Sequence, residues 1–192
     1  MKSKAVQIKP STFLSVVLVG AVIAFFVGNT RAEPISSDAQ AKADHFKKKL
    51  VEWAASPAVI AAVKESNSKG GLPGLSNAKW DDLADTDPLV KGLSSSVAGK
   101  QVTKWEGEDK ALNKLNLRDE KGNLAAFSGG SGKPLLYNNA PRPPFKNGLN
   151  GAWSDKEIKP DPTTQKKSVQ ISAPIMDGGK AIGVIHGAVE VQ

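Results

Sequence analysis

From Ser36 onward the apolar positions of the chain fall at helical intervals. Ala39, Ala43, Phe46, Leu50 and Trp53 recur at spacings of three and four, the period that stacks side chains on one face of an α-helix. Ser37 and Gln40 precede that stripe as a capping box, their side chains satisfying free amides of the first turn. At Ser56 and Pro57 the stripe is interrupted, because a proline ring removes a hydrogen bond of the preceding turn. With Ser56 as cap and Pro57 as first residue, a second helix runs through Val59, Ile60 and Val63 and ends at Gly70 and Gly71. A short helix over residues 77–83 carries Trp80. Another starts with Asp87 as cap and Pro88 as first residue, and sets Leu89, Val90, Leu93 and Val97 on one side. The chain therefore reads as mainly helical up to Trp105.

Beyond Gly107 the period shortens to two. Leu115 and Leu117 alternate with polar neighbours, residues 119–122 form a tight turn in which Gly122 takes a positive φ, and residues 124–127 return as a second strand. A second hairpin closes the sequence. Val169, Ile171 and Ala173 alternate with Gln170 and Ser172, Asp177, Gly178 and Gly179 turn the chain, and residues 181–191 run back. Ile182 and Val184 oppose Ile185, Val189 and Val191 on this last strand, which predicts a central strand covered on both faces. Residues 128–167, between the hairpins, are rich in Gly, Pro and Asn. They read as one long loop, the kind of segment that forms lids and binding loops.

The first 32 residues stand apart: Lys2, Lys4 and Lys9, an apolar run over residues 13–27, then Gly28, Asn29, Thr30, Arg31 and Ala32. This is the pattern of an export signal, and its run is short of the roughly 20 residues a membrane span needs. Small residues at Thr30 and Ala32 predict cleavage after Ala32, whereas Arg31 between them suits an uncleaved N-terminal anchor. Either way, residues 33–192 are delivered outside the cytoplasm as a single domain, with the basic flank left inside. Of the formal charge of +7, four units come from Lys2, Lys4, Lys9 and Arg31. The remaining basic residues are scattered, so a nucleic-acid partner is not expected. The chain has no cysteine, which excludes disulfides and thiolate metal sites.

Candidate chemistry gathers in the long loop. Arg142 lies among prolines and beside Phe145, a stiff setting from which a guanidinium can meet a carboxylate with two hydrogen bonds, or simply stand in solvent. Tyr137, Asn138 and Asn139 offer a phenol and two amides suited to orienting a small polar ligand, although Asn pairs are also plain turn formers. Trp153 and Trp80 either wall a pocket or fill a core. His186 sits mid-strand between Gly183 and Gly187, where it contacts a ligand, acts as a pH-sensitive group, or lies at a sheet surface. His45, on the polar side of the first helix, is expected to be exposed. No catalytic set emerges: the two histidines lack metal-ligand spacing, and Pro134 stands where a phosphate loop needs a hydroxyl. Neither an enzyme, a metal nor a cofactor is expected.

Leu50, Trp53, Pro57, Val59, Ile60, Val63 and Asn67 form a helical signature ending in Asn. Trp80 with Asp87 and Pro88 follows, then Arg118, Asp119, Gly122, Asn123 and Ala125 around the first turn. The most specific block is Val169, Gln170, Ile171, Ser172, Ala173, Pro174, Ile175, Asp177, Gly178, Gly179, Ile182, Gly183 and Val184. In this order the motifs resemble the Cache family of PAS-like periplasmic sensor domains, single-Cache or PDC-type, over essentially all of residues 33–192. The resemblance implies an α+β fold, with a PAS-like antiparallel sheet, a long N-terminal helix and a helical cap. It implies a stand-alone sensor in the periplasm, binding a carboxylate, amino acid or amine. A second copy through the N-terminal helix, or a membrane receptor or kinase, would be the signalling partner, because no transmitter follows Gln192. The alternative is an envelope interaction protein that keeps the fold without a ligand. Under the first reading the ligand contacts are Tyr137, Asn138, Asn139, Arg142, Trp153 and His186.

Overall fold

The computed structural model describes residues 33–191, and the export-signal segment lies outside that range. Helix α1, Ser37–Ala54, is capped by Ser36, whose hydroxyl accepts from the Ala39 amide at 3.3 Å. The cap thus sits one residue ahead of the Ser37 and Gln40 pair, because Ser36 is the last residue in extended conformation. Ala39, Ala43, Phe46, Leu50 and Ala54 are buried against the sheet. That contact uses up the apolar stripe and leaves Val51 as the large exposed apolar residue of α1. Helix α2, Pro57–Lys69, starts at its proline and stops where Gly70 turns left-handed with φ 68°.

Next come α3, Asn77–Asp81, and α4, Pro88–Ser95, the latter capped by Asp87, which accepts from the Leu89 amide at 2.8 Å. The side expected to continue to Val97 breaks at Ser96. Its extended backbone ends α4, and its hydroxyl accepts from Gly99 to begin α5, Val97–Glu108. Val97 is left 77% exposed at the first position of the new helix.

The strands are β1, Glu33–Pro34; β2, Leu112–Asp119; β3, Leu124–Phe127; β4, Trp153–Ser154; β5, Glu157–Pro160; β6, Lys167–Asp177; and β7, Lys180–Glu190. They form an antiparallel sheet ordered β1-β5-β6-β7-β2-β3, with β4 also paired to β6. Strand β7 is central, as its two-sided apolar character predicts. The α+β architecture with a long N-terminal helix and helical cap is the expected one. The long loop, however, is not structureless. It contains a 3-10 turn at Gly129–Ser131, helix α6 at Pro143–Leu149, and strands β4 and β5. Pro143 and Pro144 begin a helix because their missing amides have no partner to lose in a first turn.

The pleat gives the sheet two unlike faces. Leu115 and Leu117 of β2, Val169, Ile171 and Ala173 of β6, and Ile185 and Val189 of β7 join α1, α2 and α5 in the main core. Lys114, Asn116 and Arg118, Gln170 and Ser172, and His186 alternate with them and point the other way, under the crossover from β3 to β6. A smaller core of Trp80, Val90, Leu124, Phe127 and Tyr137 lies beneath α3 and α4. Among the described residues, no helix is long and apolar enough to cross a membrane.

Candidate ligand site beneath the crossover

Helix α6 reaches the polar face through Gly148, whose α-carbon lies so near β6 that an added Cβ would stand 2.7 Å from Ser172 Oγ. Between this contact and the β5 end of the sheet the crossover stands away from the strands. A cavity of about 430 Å³ remains. Its floor is Lys114, Asn116, Arg118, Gln170 and His186; Leu135, Asn139, Arg142 and Pro143 roof it; Asp155, Lys159 and Pro160 close one side. The volume is in the range that holds a small metabolite.

Arg118 is buried and donates from Nη1 to the carbonyls of Tyr137 at 2.7 Å and Gly122 at 3.2 Å, and from Nη2 to that of Leu136 at 3.0 Å. Its Nε has no partner, and burial lowers its pKa to about 10 against the pull of Asp119. Lys114, also buried, is ion-paired to Asp161. Burial pushes Lys114 down, while Asp161 opposes the shift. For Asp161 burial alone would raise the carboxyl, but Lys114 and Gln170 together hold it below its ordinary value. The amides of Thr163 and Thr164 donate to its other oxygen, each at 3.0 Å, which fixes the loop behind the cavity.

Gln170 donates from Nε2 to Asp161 at 2.7 Å, so its Oε1 is turned toward His186 Nε2, 2.6 Å away. An amide oxygen only accepts. His186 therefore carries its proton on Nε2, and Nδ1 is a bare acceptor, buried and without a partner. Burial first, then the charges of Lys114 and Arg118, hold His186 well below its usual pKa and keep it neutral at physiological pH. Of the cations on the cavity, Lys114 is paired to Asp161, and Lys159 to Glu157 at 2.6 Å and Asp155 at 3.6 Å. Arg118 and Arg142 are the ones that make no hydrogen bond to a carboxylate among the described residues.

Of the sequence candidates, Asn139, Arg142 and His186 line this cavity. Tyr137 does not. Its ring lies in the smaller core, 6.0 Å from Trp80, and its hydroxyl accepts from the Leu72 amide at 2.6 Å. Asn138 bonds to Asn77, Asn123 and the Lys121 carbonyl, fastening the crossover to α3 and the first turn. Trp153 pairs with Ser172 in β4, half-buried and away from the cavity lining. Lys114 and Asp161 were not singled out by sequence, and Arg118 and Gln170 only as motif positions, not as ligand contacts. The available signal was their parity: each of Lys114, Arg118 and Gln170 alternates with a core residue on a strand whose far side is also covered.

A larger hollow of about 590 Å³ lies between α2 and the α4–α5 junction, lined mainly by Ala58, Ala61, Ala62, Leu93 and Val97. Its charged groups, Glu65 and Lys69, bond to each other at 2.5 Å. No buried polar groups converge there, so the smaller cavity is the better candidate despite its size.

No family model matches this chain, and no curated protein is matched. Solved structures similar to it include the sensor domain of the V. cholerae histidine kinase DctB, at 15% identity and a TM-score of 0.40. They also include the sensory domain of the Campylobacter jejuni chemoreceptor Tlp3 (CcmL) with isoleucine bound, at 14% and 0.43, and the ligand binding domain of Mlp24 with asparagine, at 14% and 0.40. These matches cover 80%, 81% and 81% of this chain but only 57%, 64% and 62% of the other chains. All three are described as sensory or ligand-binding domains.

Proposed function

We propose that the protein is an extracytoplasmic ligand-binding module whose cavity takes a small carboxylate-bearing metabolite, and which passes its occupancy to a separate membrane receptor or kinase. The observation that carries this reading is Arg118: a buried guanidinium whose hydrogen bonds all go to main-chain carbonyls and none to a carboxylate. Lys114 and Arg142 stand on the same cavity. An anion there meets charge-assisted donors, and two of them, Arg118 and Lys114, are buried on the floor, where such bonds are strong. An amine would meet Arg118 and Arg142, the two cations of the lining without a carboxylate hydrogen bond, so of the expected ligand classes the amines fit worst. Asp155 leaves room for an ammonium at the rim if the ligand is an amino acid. The open cavity also favours this reading over a ligand-free interaction protein, which would fill the space with its own side chains.

Thermal-shift measurements on the full chain with mono- and dicarboxylates, amino acids and amines test the proposal. At 100-fold excess over its dissociation constant a true ligand adds about 2.7 kcal/mol to stability. The Arg142→Ala variant, which alters an exposed side chain, should keep the melting temperature of the unliganded protein and weaken the best carboxylate by about ten- to a hundredfold. If no carboxylate or amino acid raises the melting temperature at millimolar concentration, the reading fails.

A further inference from the structure

We infer that the cavity takes up its anion together with a proton that is held on His186. This rests on the anion-binding reading above and concerns how that site is regulated. His186 is 5% exposed on the cavity floor. Asn116 and Ser172 lie directly beside it on the neighbouring strands, and Arg118 and Gln170 are the next residues along on the same face. Lys114 comes from β2, Asp161 from the loop after β5, Arg142 from the start of α6, and Asp155 and Lys159 from the side wall. The one carboxylate close behind the floor, Asp161, is engaged by Lys114 and by Gln170. Lys159 is engaged by Glu157 and Asp155, and at the His186 ring itself Lys114 and Arg118 act more strongly than the opposing Asp161.

The ring is set up so that a second proton needs no rearrangement. Gln170 fixes Nε2 as a donor, and Nε2 remains a donor in the imidazolium form, so the 2.6 Å bond survives protonation. The proton goes to Nδ1, which has no partner to give up. What opposes it is burial plus the charges of Lys114 and Arg118. A carboxylate held by Arg118 and Arg142 reverses the sign of that local field, and an opposite charge at such range favours the charged imidazole. Linkage is reciprocal: if the anion strengthens proton binding at His186, the proton strengthens anion binding by the same factor. With one proton per anion, affinity rises by at most tenfold per pH unit as pH falls.

The test uses acetate and the full chain, in titration calorimetry at about pH 7.5, 6.5 and 5.5, the span over which a histidine titrates. Buffers of different ionisation enthalpy report proton uptake directly. Acetate affinity is expected to rise about three- to tenfold between the two lower pH values, with net proton uptake. In His186→Gln, which keeps a donor for Gln170, the slope should vanish; in His45→Gln it should persist. Should His186→Gln not fold, nitrogen chemical shifts of the His186 ring in the unaltered chain give the same answer. They should show the Nε2–H tautomer at high pH and an Nδ1 titration that moves upward with acetate. Acetate binding that is equally tight at each pH, or a ring titration unmoved by acetate, overturns the inference and leaves the anion site standing. Acetate that neither binds nor stabilises at any pH overturns both.

Discussion

Lys114 and Asp161 are both buried and hold each other's charge, so removing one leaves the other unsatisfied in a medium that cannot solvate it. Asp161→Ala is expected to cost about 3–5 kcal/mol in denaturant unfolding, whereas the double variant Lys114→Met with Asp161→Leu should recover most of that loss. His186 gives a separate pH signature. Its folded-state pKa is held below the unfolded value of 6.5, so the unfolded chain binds the proton first. Stability should be level above about pH 6.5 and decline below it, by no more than about 1.4 kcal/mol per unit. Asp161, held below 3.8, keeps its full contribution down to about that pH, so its decline begins well below the onset of the one from His186. Melting curves of His186→Gln should lack the first decline. At this scale the sequence was partly legible. Arg142, Asn139 and His186 were identifiable because their types and settings stand out, while Tyr137 was not separable from them: whether a phenol faces a cavity or a main-chain amide depends on Leu72, 65 positions away. Lys114 and Arg118 looked like ordinary polar partners of Leu115 and Leu117, since nothing local says that the far side of a strand will be roofed.

Secondary-structure elements were easier to read because their boundaries are chemically marked. Asp87 with Pro88, Pro57, Gly70 and the turn at Gly122 each carry a local reason to start or stop, and each does so. The cap of α1 was misplaced by one residue, since Ser36 and Ser37 are chemically equal and only the backbone conformation chooses between them. Ser36→Ala should therefore lower stability by about 1 kcal/mol, with Ser37→Ala close to neutral, a pair readily compared by denaturant unfolding. Gly122 answers to two constraints at once: φ is 82°, and an added Cβ would stand 2.6 Å from the Ala140 amide nitrogen. Gly122→Ala should cost about 2 kcal/mol or more, and loosen the crossover as well as the turn. Helix α6 escaped notice because seven residues are too few to show a period, and because Pro, Gly and Asn are loop residues everywhere except at a helix end.

For the molecule as a whole, the antiparallel sheet with a long N-terminal helix and helical cap was anticipated from the resemblance of the motifs and from their order, helices first and then two hairpins joined by a long crossover. The cavity was foreseeable only as a consequence of that arrangement: its volume and charge depend on how far α6 and the β4–β5 segment stand off the strands. The pleat that divides apolar from polar across the sheet has an evolutionary corollary. In the middle of β2, β6 and β7, odd-numbered positions such as Ile171 fill the core, while Lys114, Asn116, Arg118, Gln170 and His186 line the cavity. Under the proposed function, the cavity set would be free to drift to new metabolites while the hydrophobic register stays constant. A saturation scan should resolve as a comb, with Ile171→Ala losing about 2–5 kcal/mol of stability and Asn116→Ala changing affinity far more than melting.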